Sequence, residues 1–519
     1  MESLRRFQAI LLADLRERVR SRRFWLVIAA TAGLTWFCFP PDGARYIIVG
    51  INTYHRGAYS SAWIGMVLAM LSIWTSLIGF YLVRGNLRRD FDSGVWELLE
   101  VTPLSRASYL MAKWSSHVLV LSLVLLAQLA VGLVAQLVRA EDLTVDLPQL
   151  IVPALLFGLP SLALTAMLAI WFDLVPPLRR AAGNYLYFVV WVAIMAATIK
   201  SVGNGPPPGG NPQWLGDPRG VAIFNRLIHE RLENTLRQPL RVCIGCGFPD
   251  NRPVTRFDWP SWQPTPAELA GRLAWLAIAV AGVLGGAPFV DRFSAFDRTR
   301  SGGGSIPARA RADRWLHAML RPMRRTAFGT LYAAELLLGL HGRKLWWWML
   351  VPATMGLQLF GPPRIASVAV LAAWVLLTDI LSRSSLREAE AGTGAVVFSA
   401  AHALPRILAA RWLGLVTLGW IVTAPAMLRF AASAPIAALA IAIVSVSLAT
   451  WAMALGATLR TSRVAELLLC GSAYLGIQDA PLLNVAVAPG WTAGVHLACL
   501  PIAAALLLFG WPRAHAQPA

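Results

Sequence analysis

The chain is poor in charged residues, and acidic residues are the scarcest of them. Asp, Glu, Lys and Arg make up 14% of the 519 residues, against 57% hydrophobic residues, and Asp and Glu together number 27. Soluble globular domains carry about 25% charged residues, so this balance, with a mean hydropathy of +0.57, excludes that class. The composition predicts a protein that crosses a membrane several times.

Motifs for nucleotide chemistry are also missing. The glycine run Ser301-Gly302-Gly303-Gly304-Ser305 is not a phosphate-binding loop, because no Gly-x-x-x-x-Gly-Lys-Ser/Thr occurs in the chain. No set of residues for hydrolysis or group transfer is apparent. We therefore expect the chain to bind no cofactor of its own, and to be no ATPase.

Cysteine is rare, with five residues in all. Cys243 and Cys246 form a Cys-x-x-Cys pair in a predicted extracytoplasmic loop, without a second pair or paired histidines nearby, so a four-ligand zinc site is incomplete. A local disulfide, two free thiols, and redox or metal chemistry all remain open, and the disulfide is the leading alternative. The other three cysteines lie in apolar runs and are expected to be small core residues.

Apolar runs long enough for a helix to cross the bilayer are frequent, because about 20 residues span the hydrocarbon core. We find six in each half of the chain. They are residues 24–39, 63–83, 114–138, 147–172, 183–199, 273–290, 345–362, 365–381, 412–428, 430–459, 464–478 and 491–508. The sequence thus predicts an all-α integral membrane protein with twelve transmembrane helices.

Basic residues fix the predicted orientation, because Lys and Arg of short loops stay in the cytoplasm. If both termini are cytoplasmic, only five of the 46 basic residues lie in short outside loops and nine in the long outside loop 200–272, which leaves 32 inside. The net charge of +19 is then a consequence of topology, and no nucleic-acid partner is expected.

The two halves repeat one another. Ala13-Asp14-Leu15 and Trp25 recur as Ala334-Glu335-Leu336 and Trp346, while Lys113-Trp114 recurs as Arg411-Trp412. Duplicated patterns of this kind are typical of transporters built from two related bundles. We therefore predict two pseudo-symmetric six-helix units, 1–290 and 327–519, around an interior pathway, joined by a flexible Arg-rich cytoplasmic linker, 291–326.

Two amphipathic helices are predicted outside the spans. Near the N-terminus, apolar residues from Leu4 to Val19 recur every three to four positions with arginines between them, as in a helix lying in the membrane interface. In the loop 200–272, Asp217-Pro218 is a helix start, and an apolar stripe follows that includes Phe224 and Ile228.

A charged segment between the second and third predicted spans carries the most specific pattern. It comprises a glycine break, a short amphipathic helix and a proline before the next span, over residues 84–113. Its residues include Asp90 and Asp92, Gly94, Glu97-Leu98-Leu99, Thr102-Pro103-Leu104-Ser105-Arg106, Tyr109-Leu110 and Lys113. With either Asp90 or Asp92 as the acidic position, this pattern resembles the corresponding loop in permeases of ATP-binding-cassette exporters of the second export type.

The resemblance implies a coupling helix that docks on a separate ATP-binding-cassette ATPase, expected in two copies, which would hold ATP and Mg²⁺. It also implies that the N-terminal amphipathic helix is the family's connecting helix, in a bacterial cytoplasmic membrane whose lipids surround the chain. The residues expected to contact the ATPase are Asp90, Asp92, Gly94, Glu97, Leu98, Leu99, Glu100, Pro103 and Arg106, with Glu388 and Gly392 in the second copy. That copy has Val396-Val397-Phe398 in place of Glu-Leu-Leu, which predicts weaker docking.

Two other functions remain open. A twelve-span secondary carrier is one, because residues 85–94 loosely resemble a conserved carrier loop; however, the scarcity of ionisable residues at mid-depth disfavours a proton relay. A membrane-embedded lipid-modifying enzyme is the other, and it would require Asp90 and Asp92 to face a headgroup. An amphipathic or lipid-like cargo fits the apolar spans.

Overall fold

The computed structural model is predominantly helical and divides into two compact units, Met1–Ser301 and Gly302–Ala519. The boundary between the units lies inside the predicted linker. The residues that the structure describes are 2–41, 46–52, 55–92, 105–175, 178, 181–203, 223–224, 226–230, 242–247, 254–290, 317–341, 343, 345–477, 483–485 and 488–515.

The first unit consists of helices with one small sheet. Its helices are α1 (Glu2–Arg20), α2 (Arg22–Phe37), α3 (Ser61–Val83), α4 (Asn86–Asp92), α5 (Arg106–Arg139), α6 (Leu147–Leu174), α7 (Ala181–Gly203) and α8 (Pro266–Gly285). Polar side chains cap the long helices: Asp146 starts α6, and Thr265 forms a capping box with Glu268 at the start of α8. The core lies along α3, which is buried over most of its length.

A four-stranded sheet, which was not predicted from the sequence, lies at one end of the first unit, whose other elements are helices compatible with the predicted all-α membrane protein. Its strands are β1 (Tyr46–Ile51), β2 (His55–Gly57), β3 (Val242–Gly247) and β4 (Thr255–Phe257), in the order β3-β1-β2-β4. β1 is antiparallel to β2 and β3, whereas β2 and β4 are parallel. Tyr46-Ile47-Ile48-Val49 is rich in β-branched residues, which favour strands, and this run was the available signal.

Contacts at the two ends of the first unit show that successive helices alternate in direction. At the sheet end, Arg56 pairs with Glu141 of the α5–α6 loop, and Gln149 bonds to the backbone of Trp262. At the opposite end, α1, α4 and the start of α5 meet the ends of α6 and α8 in a small apolar cluster. Near the sheet, residues 226–230 are helical, and Phe224 and Ile228 are buried as the predicted stripe requires.

The second unit consists of helices, and its described residues contain no sheet. Its helices are α9 (Ala327–Leu340), α10 (Leu345–Phe360), α11 (Pro363–Arg383), α12 (Arg387–Ala391), α13 (Gly394–Val397), α14 (Ala403–Ser433), α15 (Pro435–Leu459), α16 (Arg463–Ile477) and α17 (Pro489–His515). At the end of the predicted linker, Arg321–Arg325 forms a 3₁₀-helix, and Leu320 is buried in the core of this unit.

Eight helices are long and apolar enough to cross a membrane, which supports a multi-pass membrane protein. They are α3, α5, α6, α8 with the turn after it, α11, α14, α15 and α17. The remaining four predicted spans fall on α2, α7, α10 and α16, which do not reach that measure over their described residues. Each of the twelve predicted runs nevertheless overlaps a helix.

Candidate functional site: a buried acid–cation–acid triad in each unit

Lys113 on α5 joins two carboxylates from different helices in the first unit. Its Nζ lies 2.8 Å from Asp14 Oδ1 on α1 and 2.8 Å from Asp90 Oδ2 on α4. All three residues are buried. One cation thus holds together the N-terminal helix, the helix that leads into the predicted coupling segment, and the following span.

Neutral side chains also donate hydrogen bonds to both carboxylates. Asp14 Oδ2 accepts hydrogen bonds from Asn86 Nδ2 at 2.6 Å and from Ser116 Oγ at 2.9 Å. Tyr109 Oη donates to Asp90 Oδ2 at 2.7 Å. Buried charges are tolerated when they are paired and hydrogen-bonded in this way.

The second unit contains the same arrangement with an arginine at its centre. Arg411 on α14 binds Glu335 of α9 through Nε at 2.9 Å and Nη2 at 2.8 Å. Its Nη1 donates to Glu388 of α12 at 3.0 Å and to the Ser384 carbonyl at 2.6 Å. Arg387 lies 3.2 Å from Glu335 and adds a second cation.

The spacing along the chain between the second acid and the central cation is the same in the two triads. Lys113 follows Asp90 by 23 residues (113 − 90), and Arg411 follows Glu388 by 23 (411 − 388). In both units the first acid lies on the helix that precedes the first predicted span of that unit. We call the two sets the first triad (Asp14, Lys113, Asp90) and the second triad (Glu335, Arg411, Glu388).

The tryptophans that follow the central cations also have matching partners. Trp114 Nε1 donates to the Ala163 carbonyl on α6 at 3.0 Å, and Trp412 Nε1 donates to Thr450 Oγ1 on α15 at 2.9 Å. Each therefore connects the cation-bearing helix to the next helix along the chain. The repeated Lys113-Trp114 and Arg411-Trp412 pairs thus make equivalent contacts within their units.

The cations favour the ionised form of one carboxylate in each triad. Burial alone would raise the pKa of Asp14, but the charges of Lys113 and Arg18 outweigh it and hold that pKa at about 2. Burial likewise opposes ionisation of Glu388, while the hydrogen bond and charge of Arg411 hold its pKa below the usual range. Asp14 and Glu388 are therefore ionised at neutral pH.

Two of the predicted docking residues, Asp90 and Glu388, belong to the triads. Both are buried and bind a cation of their own unit. Their contact with an ATPase stays a prediction. Gly392 ends α12 in the left-handed region with φ of 65°, a conformation in which glycine is favoured because it has no Cβ.

The remaining predicted docking residues are only partly described. Arg106 is exposed at the first turn of α5, where Ser105 Oγ caps the helix by accepting from the Ser108 amide at 3.2 Å. Asp92 ends α4, and its side chain lies outside the described structure. Residues 93–104 lie outside it as well, and they include Gly94, Glu97, Leu98, Leu99, Glu100 and Pro103.

Cys243 and Cys246 lie in the edge strand β3, opposite Gly50 and Ile47 of β1. The local disulfide, the two free thiols, and redox or metal chemistry at this pair all stay predictions. Within the described residues, no cluster of His, Cys, Asp and Glu has the arrangement to hold a metal ion.

Sequence reasoning noticed the triad residues as repeats but missed that they bind one another. The signal was present, because the charged positions recur with an equal spacing of 23 residues.

Comparison of the chain with protein-family models, with curated proteins and with solved structures found no significant match. The function is therefore argued from the site.

Proposed function

We propose that the chain is the membrane subunit of an ATP-driven exporter whose ATP is hydrolysed by a separate nucleotide-binding subunit. The observation that carries the proposal is the triad in each unit, which ties a helix outside the spans to the start of the next span. The segment that resembles a coupling helix begins directly after α4, the helix that carries Asp90. A displacement of that segment would therefore move α1 and α5 together, because the first triad joins both helices to α4.

Electrostatics explains why the triads suit such transmission. Removing one partner from a buried ion pair typically costs about 3 to 5 kcal/mol, because a charge is left uncompensated. The helices joined by each triad therefore resist moving apart and shift as one body. Two such bodies in one chain fit a partner with two nucleotide-binding subunits, and the pseudo-symmetric twelve-span architecture in a bacterial cytoplasmic membrane belongs to the same proposal.

A secondary carrier is the less favoured function. The long helices α3 and α15 contain no Asp, Glu, Lys, Arg or His, and the charged residues of α5 and α14 that form the triads are used in structural pairs. A carrier that couples to protons needs a protonatable group that changes its partner during transport. We infer an amphipathic or lipid-like cargo from the apolar spans.

The test is affinity purification of the tagged chain from its native membrane in mild detergent, followed by identification of its partners. We expect an ATP-binding-cassette ATPase whose activity rises when the complex forms. Co-purification of no ATPase, together with transport that follows an imposed proton gradient, would exclude the proposal.

Docking is tested by Glu97→Arg combined with Leu98→Asp, which should abolish ATPase stimulation while the chain still inserts. The matched change in the second unit is Val396→Arg combined with Val397→Asp, where the Val396 side chain is 78% exposed, and we expect a milder effect there. Truncating one partner of a desolvated charge contact costs about 2 to 5 kcal/mol, whereas a rim contact costs little. Stimulation that survives the first change but is lost with the second would reverse the assignment of the main docking site.

A further inference from the structure

The segment that precedes α9 exposes large apolar side chains. Met319, Met323 and Phe328 are 59%, 46% and 44% exposed, respectively. They lie before or in the first turn of α9, outside the predicted spans, so exposure to lipid within a span does not account for Met319 and Met323. Large exposed apolar side chains grouped in this way mark a contact surface.

Three arginines are interleaved with these apolar residues. Arg321, Arg324 and Arg325 are all exposed on the 3₁₀-helix Arg321–Arg325. Arg324 Nη2 lies 2.7 Å from His317 Nδ1, and no carboxylate of the described residues forms an ion pair with any of the three. The hydrocarbon core would exclude these cations, whereas bulk water would leave the apolar surface of the methionines and the phenylalanine unburied.

The segment is held firmly enough to act as a surface. Leu320, between Met319 and Arg321, is buried in the core of the second unit. Thr326 Oγ1 caps α9 by accepting from the Gly329 amide at 3.0 Å, and Thr330 Oγ1 donates to the Arg324 carbonyl at 3.2 Å. The exposed side chains therefore project from a backbone that is fixed to α9, the helix that carries Glu335 of the second triad.

We propose that residues 319–328 bind the anionic phospholipids of the membrane surface. Met319, Met323 and Phe328 insert at the boundary between headgroups and acyl chains, and the three arginines bind phosphate groups. This is the pattern of an interfacial anchor, in which apolar burial and attraction to anionic lipid add together. The inference does not depend on the proposed transport function.

The experiment uses the full chain with its five cysteines replaced and Met319→Cys carrying an environment-sensitive fluorophore. The protein is reconstituted in vesicles of equimolar phosphatidylglycerol and phosphatidylcholine, and a spin label is placed on one lipid or the other. We expect quenching by either lipid, and stronger quenching by labelled phosphatidylglycerol. One arginine near an anionic surface changes local binding by up to about five-fold, so three permit a preference of roughly 100-fold at most.

The decisive variant combines Arg321→Gln, Arg324→Gln and Arg325→Gln, and its preference for phosphatidylglycerol should disappear. The matched control removes the same charge from the linker through Arg309→Gln, Arg311→Gln and Arg314→Gln, and the preference should remain. Absence of quenching would place the segment in water or against protein and overturn the proposal. Equal quenching by both lipids, or an equal loss of preference in the control, would also overturn it. Monodisperse elution of each variant checks its folding.

Discussion

Exchanging the central cations of the two triads tests whether their geometry carries stability. Arg411 directs its Nε and both terminal nitrogens at five acceptor positions: two oxygens of Glu335, two of Glu388 and the carbonyl of Ser384. A lysine has three donors on a single nitrogen. Arg411→Lys therefore leaves at least two of these acceptors without this donor, in a site where the arginine side chain is 1% exposed.

The expected loss follows from those contacts. A hydrogen bond to a charged group contributes about 1.5 to 3 kcal/mol, so two lost bonds destabilise the second unit by roughly 3 to 6 kcal/mol. Lys113→Arg keeps the charge, and Asn86, Ser116 and Tyr109 still bind the two carboxylates. Its cost is that of overpacking, about 1 to 3 kcal/mol.

Thermal unfolding of the purified chain in detergent compares the two variants. A change of 1 kcal/mol shifts the midpoint by about 2 to 4 °C for a unit of this size, so Arg411→Lys should lower it by roughly 6 to 24 °C. Lys113→Arg should lower it by less. Arg387→Lys is the control, because that side chain is partly exposed and makes one contact with Glu335. A larger loss for Lys113→Arg than for Arg411→Lys would refute the reasoning.

Three further predictions concern pH, backbone strain and topology. Because the folded pKa of Asp14 is about 2 against an ordinary 3.8, ionised Asp14 contributes about 2 kcal/mol of stability above pH 4. That contribution should be lost as pH falls through 2, and a denaturant series should show no such loss in Asp14→Asn. Gly392→Ala should cost about 1 to 2 kcal/mol by strain alone, because no atom lies within 4 Å of the added Cβ; the same denaturant series measures it, with Gly356→Ala as control. Gly303→Cys, in a cysteine-free background, should not react with an impermeant thiol reagent in intact cells, whereas labelling would overturn the predicted orientation.

The positions of the helices could be predicted from the sequence because the bilayer leaves few alternatives. A chain in hydrocarbon must satisfy its backbone hydrogen bonds internally, so a long apolar run becomes a helix. Every predicted run overlaps a helix, although α10 and α16 have only 16 and 15 residues. Their lengths could not be read from hydropathy alone, since helix ends depend on caps and packing.

The sheet was missed for a different reason. β1 is a six-residue run, and its partner β3 begins almost 200 residues later in the chain. Strand pairing between such distant segments leaves no periodic pattern in either one. The residues around Tyr46 are predicted to form a short outside loop, because they lie between two apolar runs, although Ile47, Val49 and Ile51 are buried.

The sequence of a single segment does not show which neighbour a charged residue will contact. Asp90 on an amphipathic helix has the same sequence pattern whether it faces a partner protein or a lysine 23 residues later. The rotation of α4 about its axis decides between the two, and α4 packs against α6 as well as α5 and α1 through the apolar cluster around Leu87. Only the comparison of the two halves could have favoured the internal contact, because acid and base recur there together.

The two units differ in the length of chain between the first acid and the central cation of each triad. Asp14 precedes Lys113 by 99 residues, whereas Glu335 precedes Arg411 by 76, so the first unit contains 23 more residues between them (99 − 76). The extra length falls between α2 and α3, where β1 and β2 lie, whereas α10 and α11 are joined through Gly361-Pro362 alone. Within the described residues, the ionic arrangement that recurs in both units therefore lies at the triad end, whereas β1 and β2 occur in the first unit and have no counterpart between α10 and α11.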